Sequence, residues 1–285
     1  MKIIIAKNAG YCFGVRDAVN MAHDVAKKEG EVYMLGDIVH NERVVEDLDN
    51  SGAKVVNSLD EVPKDGTVLF RAHGTKNEIW DEAREKKMNI VDATCPLVHK
   101  IHEDVRNLYA EGRKIIVIGD HGHDEVVAIA DQVTKREPII ISSPDEANEL
   151  RRYKRAGVVS QSTQMIENLQ EITKILLQKV YDLRFVNTIC FPTKRNHERI
   201  KELSIDCDVM IVIGSFTSAN SKRLTELAVQ RNENSYQVTG KEDLKKEWFR
   251  NVETVGISAG ASTPDYLIDE VKEEIKRYER EMSDE

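Results

Sequence analysis

Cys12, Cys95 and Cys190 share one local setting. Each ends a short apolar run and opens a helix-like segment: IIIAKNAGYC before FGVRDAV, MNIVDATC before PLVHKIH, and RFVNTIC before FPTKRNH. Twenty-eight residues after each stands a polar side chain at the end of another apolar run: His40 (40 − 12), His123 (123 − 95) and Ser218 (218 − 190). Thiolates far apart in sequence can meet around an axis if three repeated units bring them there. Three thiolates with an open fourth place suit zinc or an iron–sulfur cluster, and the compact cysteine spacings of ferredoxins are absent. The residues alone leave these two chemistries open. A lone cysteine in an α/β protein is ordinarily a small buried hydrophobe. Cys207, which opens the apolar run 209–213 without the same setting, is read that way.

Other polar residues recur at the ends of apolar runs. His40 (LGDIVHNE) and His73 (LFRAHGTKNE) precede helix starts, with Asn41 and Thr75 near the capping positions. Imidazoles beside helix N-termini form a plausible anion cradle. His121 and His123, two apart in GDHGHDEV, admit a minor zinc reading. His23, His99, His102 and His197 fall on helix-like stretches and are expected at the surface or as caps. Glu125 opens a predicted helix, where the dipole favours a carboxylate, and is a candidate proton donor. The loops SQST (160–163), GSFTSANSKRL (214–224) and SAGASTPD (258–265) lead into helices. Their backbone N–H groups and hydroxyls can hold a phosphate, although the GxxxxGK[ST] P-loop is absent.

Short apolar runs alternate with amphipathic stretches along nearly the whole chain. Strands are expected at 2–6, 32–35, 68–71, 89–91, 114–118, 139–141, 157–159, 184–186, 208–213, 236–238 and 254–257. Helices are expected at 15–28, 41–49, 76–87, 97–110, 164–180, 219–230 and 266–278. This alternation means βα units on parallel sheets, and the Ile/Val-rich runs fit strands covered on both faces. Three α/β units are expected, at 1–96, 97–190 and 191–285. Each carries one key cysteine and two further polar stations at strand ends, where open α/β sheets bind ligands. The charged tail 277–285 is expected to fray.

The chain has 285 residues, 40% hydrophobic and 32% charged, with a formal charge of −9. That charge argues against a nucleic-acid binder. No run approaches the length of a membrane span, and the start lacks the apolar core of a secretory signal. We read the protein as cytoplasmic, where cysteines stay reduced and available to metals.

The segments AGYCFGVRDAV, IVHNERVV, FRAHGT, VDATCPLVHK, GHDEV, NTICFPTKRN, GSFTSANSKRL and SAGASTPD, in this order, resemble the 4-hydroxy-3-methylbut-2-enyl diphosphate reductases. These are the last enzymes of the methylerythritol phosphate route to isoprenoids. The resemblance implies a trefoil of three pseudo-repeated α/β units around a central metal cluster. It implies one 4Fe–4S cluster per chain, with Cys12, Cys95 and Cys190 as ligands and a fourth iron open to substrate. His40, His73, His123, Ser218, Asn220 and Ser262 would hold the diphosphate. Thr163 and Glu125 would handle the substrate hydroxyl and its proton, and a ferredoxin- or flavodoxin-type donor would supply electrons. Three departures stand out. Asp124 replaces the family's usual Pro, Ala219 replaces the second Ser of a Ser-Ser-Asn loop, and Ser162 stands where a second Thr is common. The chain is expected to carry no fused domain after the third unit. The rival enzyme reading is a quinolinate-synthase-like dehydratase. A non-catalytic iron–sulfur carrier or sensor is the rival from another class, and a metal-free α/β protein with buried thiols is the plainest one.

Overall fold

The computed structural model describes residues 1–133, 135 and 137–283. β1 (Lys2–Ile5) leads into α1 (Phe13–Glu29). One sheet follows, with β2 (Val32–Leu35), α2 (Glu42–Asn50), β3 (Ala53–Val56), β4 (Thr67–Phe70), α3 (Asn77–Glu85) and β5 (Asn89–Asp92). After α4 (Pro96–Ala110) come β6 (Lys114–Ile118), α5 (Asp124–Ala130), β7 (Ile139–Ile141), α6 (Pro144–Glu149), β8 (Tyr153–Ser160), α7 (Ile166–Lys179) and β9 (Val180–Phe185). After α8 (Phe191–Ile205) come β10 (Val209–Ile213), α9 (Ala219–Val229), β11 (Ser235–Val238), β12 (Thr254–Ala259) and α10 (Asp265–Ser283).

The sheet orders are β3-β2-β4-β5, β7-β6-β8-β9 and β11-β10-β12-β1, and every pairing is parallel. The same topology therefore occurs three times. In the third sheet the place of β5 and β9 is taken by the strand that opens the chain. Lys2–Ile5 was expected in the first unit; it pairs instead with Thr254–Ile257. Parallel pairing across the length of a chain leaves no local signal in sequence.

Packing divides the described residues into two units. One holds 1–16, 40–46 and 191–285; the other holds 17–39 and 47–190. In the first, Val209, Ile211, Ile213, Val255 and Ile257 pack against Leu267, Val271 and Ile275 of α10. In the second, β6 divides its side chains by the two-residue period of a strand. Ile116 and Ile118 meet Leu169, Ile172 and Leu176 of α7, while Ile115 and Val117 meet Ile101, Val105, Val126 and Ile129. Such two-sided burial explains the continuous apolar runs. Truncating one of these isoleucines to Ala costs about 2–5 kcal/mol.

His102 corrects an expectation. It lies on the buried stripe of α4 with Val98, Ile101 and Val105, and is only 5% exposed. His197 is likewise buried, whereas His99 is exposed. The His102 ring sits against Gly74, whose φ of +91° and lack of a Cβ both allow the approach. Burial, aided by His99 and Arg106, lowers the His102 pKa from 6.5 to about 4. The unfolded chain therefore takes up this proton before the folded one does. His102 opposes folding only as pH falls from 6.5 towards 4, with a ceiling of about 3 kcal/mol. Urea midpoints measured across that window should fall with acid, and a His102→Gln variant should show a flatter profile.

The tail differs from expectation too. α10 continues to Ser283, with Arg277 paired to Glu274 and Glu281. Residues 284 and 285 lie outside the described residues. Among the described residues no helix is long and apolar enough to cross a membrane.

Candidate active site

The repeated topology puts the chemistry-bearing residues at equivalent places. Each key cysteine follows the fourth strand of a sheet and opens the next helix: Cys12 between β1 and α1, Cys95 between β5 and α4, Cys190 between β9 and α8. Five residues past the end of each first strand stand His40 (40 − 35), His123 (123 − 118) and Ser218 (218 − 213). Three past each third strand stand His73 (73 − 70), Thr163 (163 − 160) and Ser262 (262 − 259). The recurring interval of 28 residues is thus one helix, one strand and the start of the next loop.

Backbone hydrogen bonds repeat with the topology. Gly36, Gly119 and Gly214, directly after the first strands, donate to Val56, Ile141 and Val238 at the ends of the second strands. The Cys95 N–H donates to Ala72 O at 3.0 Å, the Cys190 N–H to Ser162 O at 3.0 Å, and the Cys12 N–H to Ala261 O at 3.2 Å. Each cysteine is therefore tied to the residue just before a third-strand station.

Within the unit holding 47–190, His73 and His123 come together although they belong to different sheets. Their rings lie edge to face with centroids 5.7 Å apart. His123 caps α5 by accepting the Glu125 N–H at Nδ1, 3.1 Å away. That bond fits the neutral tautomer with its proton on Nε2. Asp124, the first residue of α5, pairs with Arg71 of the loop carrying His73. A first helical position tolerates Pro, so the Pro that the resemblance implies here would fit the same backbone. Among the described residues His121 belongs to no group of three potential metal ligands. It is exposed and bonds Glu146 at 2.8 Å.

Glu125 is 1% exposed. Its carboxylate accepts from the Ser162 N–H at 2.5 Å and from Ser162 Oγ at 2.8 Å. Thr163, expected to act with Glu125 on the substrate hydroxyl, is the next residue along the chain. Thr163 Oγ1 accepts from Nε2 of the fully buried Gln161, whose Oε1 takes the Asp120 N–H. Gln161 was overlooked in the sequence. Its only signal was a place inside the SQST loop beside a strand end.

Within the other unit, Ser218 caps α9 by accepting from the Ser221 N–H, and Ser262 Oγ donates to His40 O at 3.0 Å. The start of α9 closes on the ends of β10 and β12 because Gly214 and Gly260 stand there. A Cβ on either would collide with Ser221 Oγ. Asn220 is 5% exposed, and neither polar atom of its side chain has a hydrogen-bond partner among the described residues. A buried amide left this way at a helix N-terminus is a place prepared for an anion. Ala219 beside it is half-buried.

A family model described as LytB protein matches residues 3–276. The chain belongs to the LytB family. It is 42% identical over 276 residues to the 4-hydroxy-3-methylbut-2-enyl diphosphate reductase of Geobacter metallireducens, covering 97% of both chains. It is 39% identical over 278 residues to the enzyme of that name from Aquifex aeolicus, covering 96% of both. A solved structure of (E)-4-hydroxy-3-methyl-but-2-enyl diphosphate reductase, the terminal enzyme of the non-mevalonate pathway, is 37% identical. It aligns with a TM-score of 0.73 over 97% of this chain and 100% of that one. The Plasmodium falciparum reductase structure is 27% identical, with a TM-score of 0.91 over 97% of this chain and 87% of that one.

The cysteines of this LytB protein fit the iron–sulfur cofactor of the family by their chemistry. None of the four is in a disulfide, and Cys12, Cys95 and Cys190 are only partly buried. Burial raises the Cys12 thiol pKa, opposed by the N–H groups of Val15, Gly14 and Cys12 and the charge of Arg16. Among the described residues no three His, Cys, Asp or Glu side chains crowd one point as a single ion requires. An iron–sulfur cluster spreads its thiolate ligands over several irons and needs no such crowding. Cys207 keeps its reading as a packing residue. It is 7% exposed, and burial with Asp206 and Asp208 nearby pushes its pKa up to about 11. Cys207→Ser should leave iron content and turnover unchanged and lower stability by about 1 kcal/mol, from a buried hydroxyl in a sulfur-shaped site. Iron analysis and urea unfolding check both parts.

Proposed function

We propose that this chain reduces 4-hydroxy-3-methylbut-2-enyl diphosphate to isopentenyl and dimethylallyl diphosphates, as a cytoplasmic enzyme of isoprenoid biosynthesis. The observation that carries the reading is the threefold recurrence of a cysteine at one topological position, each bonded beside a polar station. The module boundaries 1–96, 97–190 and 191–285 belong to the same proposal, with β1 completing the third sheet.

Cys12, Cys95 and Cys190 are the ligands we assign to one 4Fe–4S cluster, which when bound supplies electrons singly and an iron open to the substrate hydroxyl. The remaining work falls to the chain's own groups. The α9 N-terminus, Ser218, Asn220, Ser262, His40, His73 and His123 hold the diphosphate. Helix ends and imidazoles give positive potential locally despite the net charge of −9. His123, with Nδ1 committed to the Glu125 N–H, presents Nε2–H as a donor. Glu125 keeps the proton that leaves with the substrate hydroxyl as water. Ser162 Oγ, 2.8 Å from Glu125 Oε2, is the first relay hydroxyl, and Thr163 is next to it in sequence. The full change adds two electrons and two protons to the allylic alcohol and releases one water.

The unpartnered amide at the start of α9 is assigned to the diphosphate in this reading. Asn220→Ala should therefore weaken diphosphate binding by about tenfold, as expected for one lost hydrogen bond to a charged group, with kcat little changed. Anaerobic turnover with dithionite-reduced methyl viologen, followed by product analysis, tests the whole reading. Release of both five-carbon diphosphates is expected, and no consumption by cluster-loaded protein would overturn it.

A further inference from the structure

We propose that Phe13 and Phe191, with Arg16, Lys194 and Arg195 around them, form the docking surface for an acidic one-electron carrier protein of the ferredoxin class. The inference rests on the reading above, because it concerns how electrons would reach the cluster assigned to Cys12, Cys95 and Cys190.

The two phenylalanines stack, with ring centroids 5.6 Å apart and planes within 6°. They are 36% and 56% exposed. Single exposed apolar residues are ordinary on a protein surface. A parallel-stacked exposed pair drawn from residues 178 apart in sequence (191 − 13) is not. Each is also the residue directly after a proposed cluster cysteine, and each opens a helix: Phe13 follows Cys12 at the start of α1, and Phe191 follows Cys190 at the start of α8. The ring pair is thus joined through single peptide bonds to two of the three thiolate-bearing residues.

Charge defines the partner. Arg16 lies three residues after Phe13, and Lys194 and Arg195 lie three and four after Phe191. Helical spacing sets each cation on the face of its own phenylalanine. Arg16 and Arg195 are exposed and Lys194 is half-buried. None of the three forms an ion pair among the described residues, so their charges face solvent uncompensated by a neighbouring carboxylate. Asp17 is the single acid at the matching spacing from Phe13. An apolar centre with a cationic rim, on a chain of net charge −9, selects a partner whose redox face is ringed by carboxylates. A patch this small suits a transient contact of the electron-transfer kind, which must release after each electron. Each docking passes one electron from the reduced carrier to the cluster, so two dockings serve one turnover.

The test uses the cluster-loaded full chain and an acidic plant-type [2Fe–2S] ferredoxin as probe. Binding of the oxidised ferredoxin is followed by NMR titration, which needs no turnover. Arg16→Glu with Arg195→Glu should weaken binding at least about tenfold and remove most of its salt dependence. Phe13→Ala with Phe191→Ala should weaken it about as much and leave the salt dependence in place. Viologen-driven turnover should stay within about twofold in both double variants, since a small dye needs no docking face. Unchanged ferredoxin affinity in both variants, or no binding to the wild type, overturns the proposal. So does an equal loss of ferredoxin-driven and viologen-driven rates, which would mark the pair as packing residues. If the wild type fails to turn over with viologen, the diphosphate-reductase reading falls, and the titration still decides the docking surface.

Discussion

Replacing Glu125 by Gln is expected to reduce turnover by about 10²- to 10⁴-fold, the usual weight of a positioned general acid. Substrate affinity should change by less than about threefold, because the side chain is not among the groups assigned to the diphosphate. The substitution leaves the fold standing for a geometric reason. A glutamine can keep its Oε1 on the Ser162 N–H and turn its amide towards Ser162 Oγ, which accepts as readily as it donates. What disappears is the exchangeable proton. Ser162→Ala should produce a smaller fall, since it removes the hydroxyl 2.8 Å from Oε2 and leaves the acid in place. Single-turnover assays with viologen-reduced enzyme separate the chemical step from binding. Near-normal turnover in Glu125→Gln would remove this carboxyl from the proton path.

Cys95→Ser should abolish activity by at least about a hundredfold and strip most of the iron, because a serine hydroxyl is a far poorer iron ligand than a thiolate. Cys12→Ser and Cys190→Ser should behave alike, since the three stand at one position of a repeated topology. All three are only partly buried, so the apoprotein variants should keep their secondary structure by circular dichroism. Thermal stability of the loaded protein should drop in each, because a group bound only by the folded chain stabilises it. The contrast with Cys207→Ser, buried and expected to keep its iron, guards against a general effect of removing sulfur. Full iron and full activity in any of the first three would break the ligand assignment.

Much of this was readable from residues. The strands of two-sided sheets announce themselves as Ile/Val runs, and the run 114–118 falls on β6 without adjustment. The edge strand Ala53–Val56 was missed because four residues, one of them exposed Lys54, give no period to read. β8 was expected at three residues and extends over eight, because Tyr153, Lys154 and Arg155 are polar or aromatic where the strand leaves the core. Arg155 there pairs with Asp182 of the neighbouring strand, a partner no local pattern reveals. The polar stations were legible because strand ends in α/β proteins are where loops carry chemistry. Their finer partners were not. Ser162 and Thr163 are adjacent, and only the turn after β8 brings the Ser162 hydroxyl to Glu125. The close approach of His73 and His123 likewise depends on two loops from different sheets.

The most direct measurement is ⁵⁷Fe Mössbauer spectroscopy of the anaerobically purified protein, with iron and sulfide counts, before and after adding the allylic diphosphate. About four irons and four sulfides per chain are predicted, with one iron site distinct from the other three and altered by the substrate. Iron-free protein, or a cluster whose four sites are equivalent and blind to the substrate, would contradict the account.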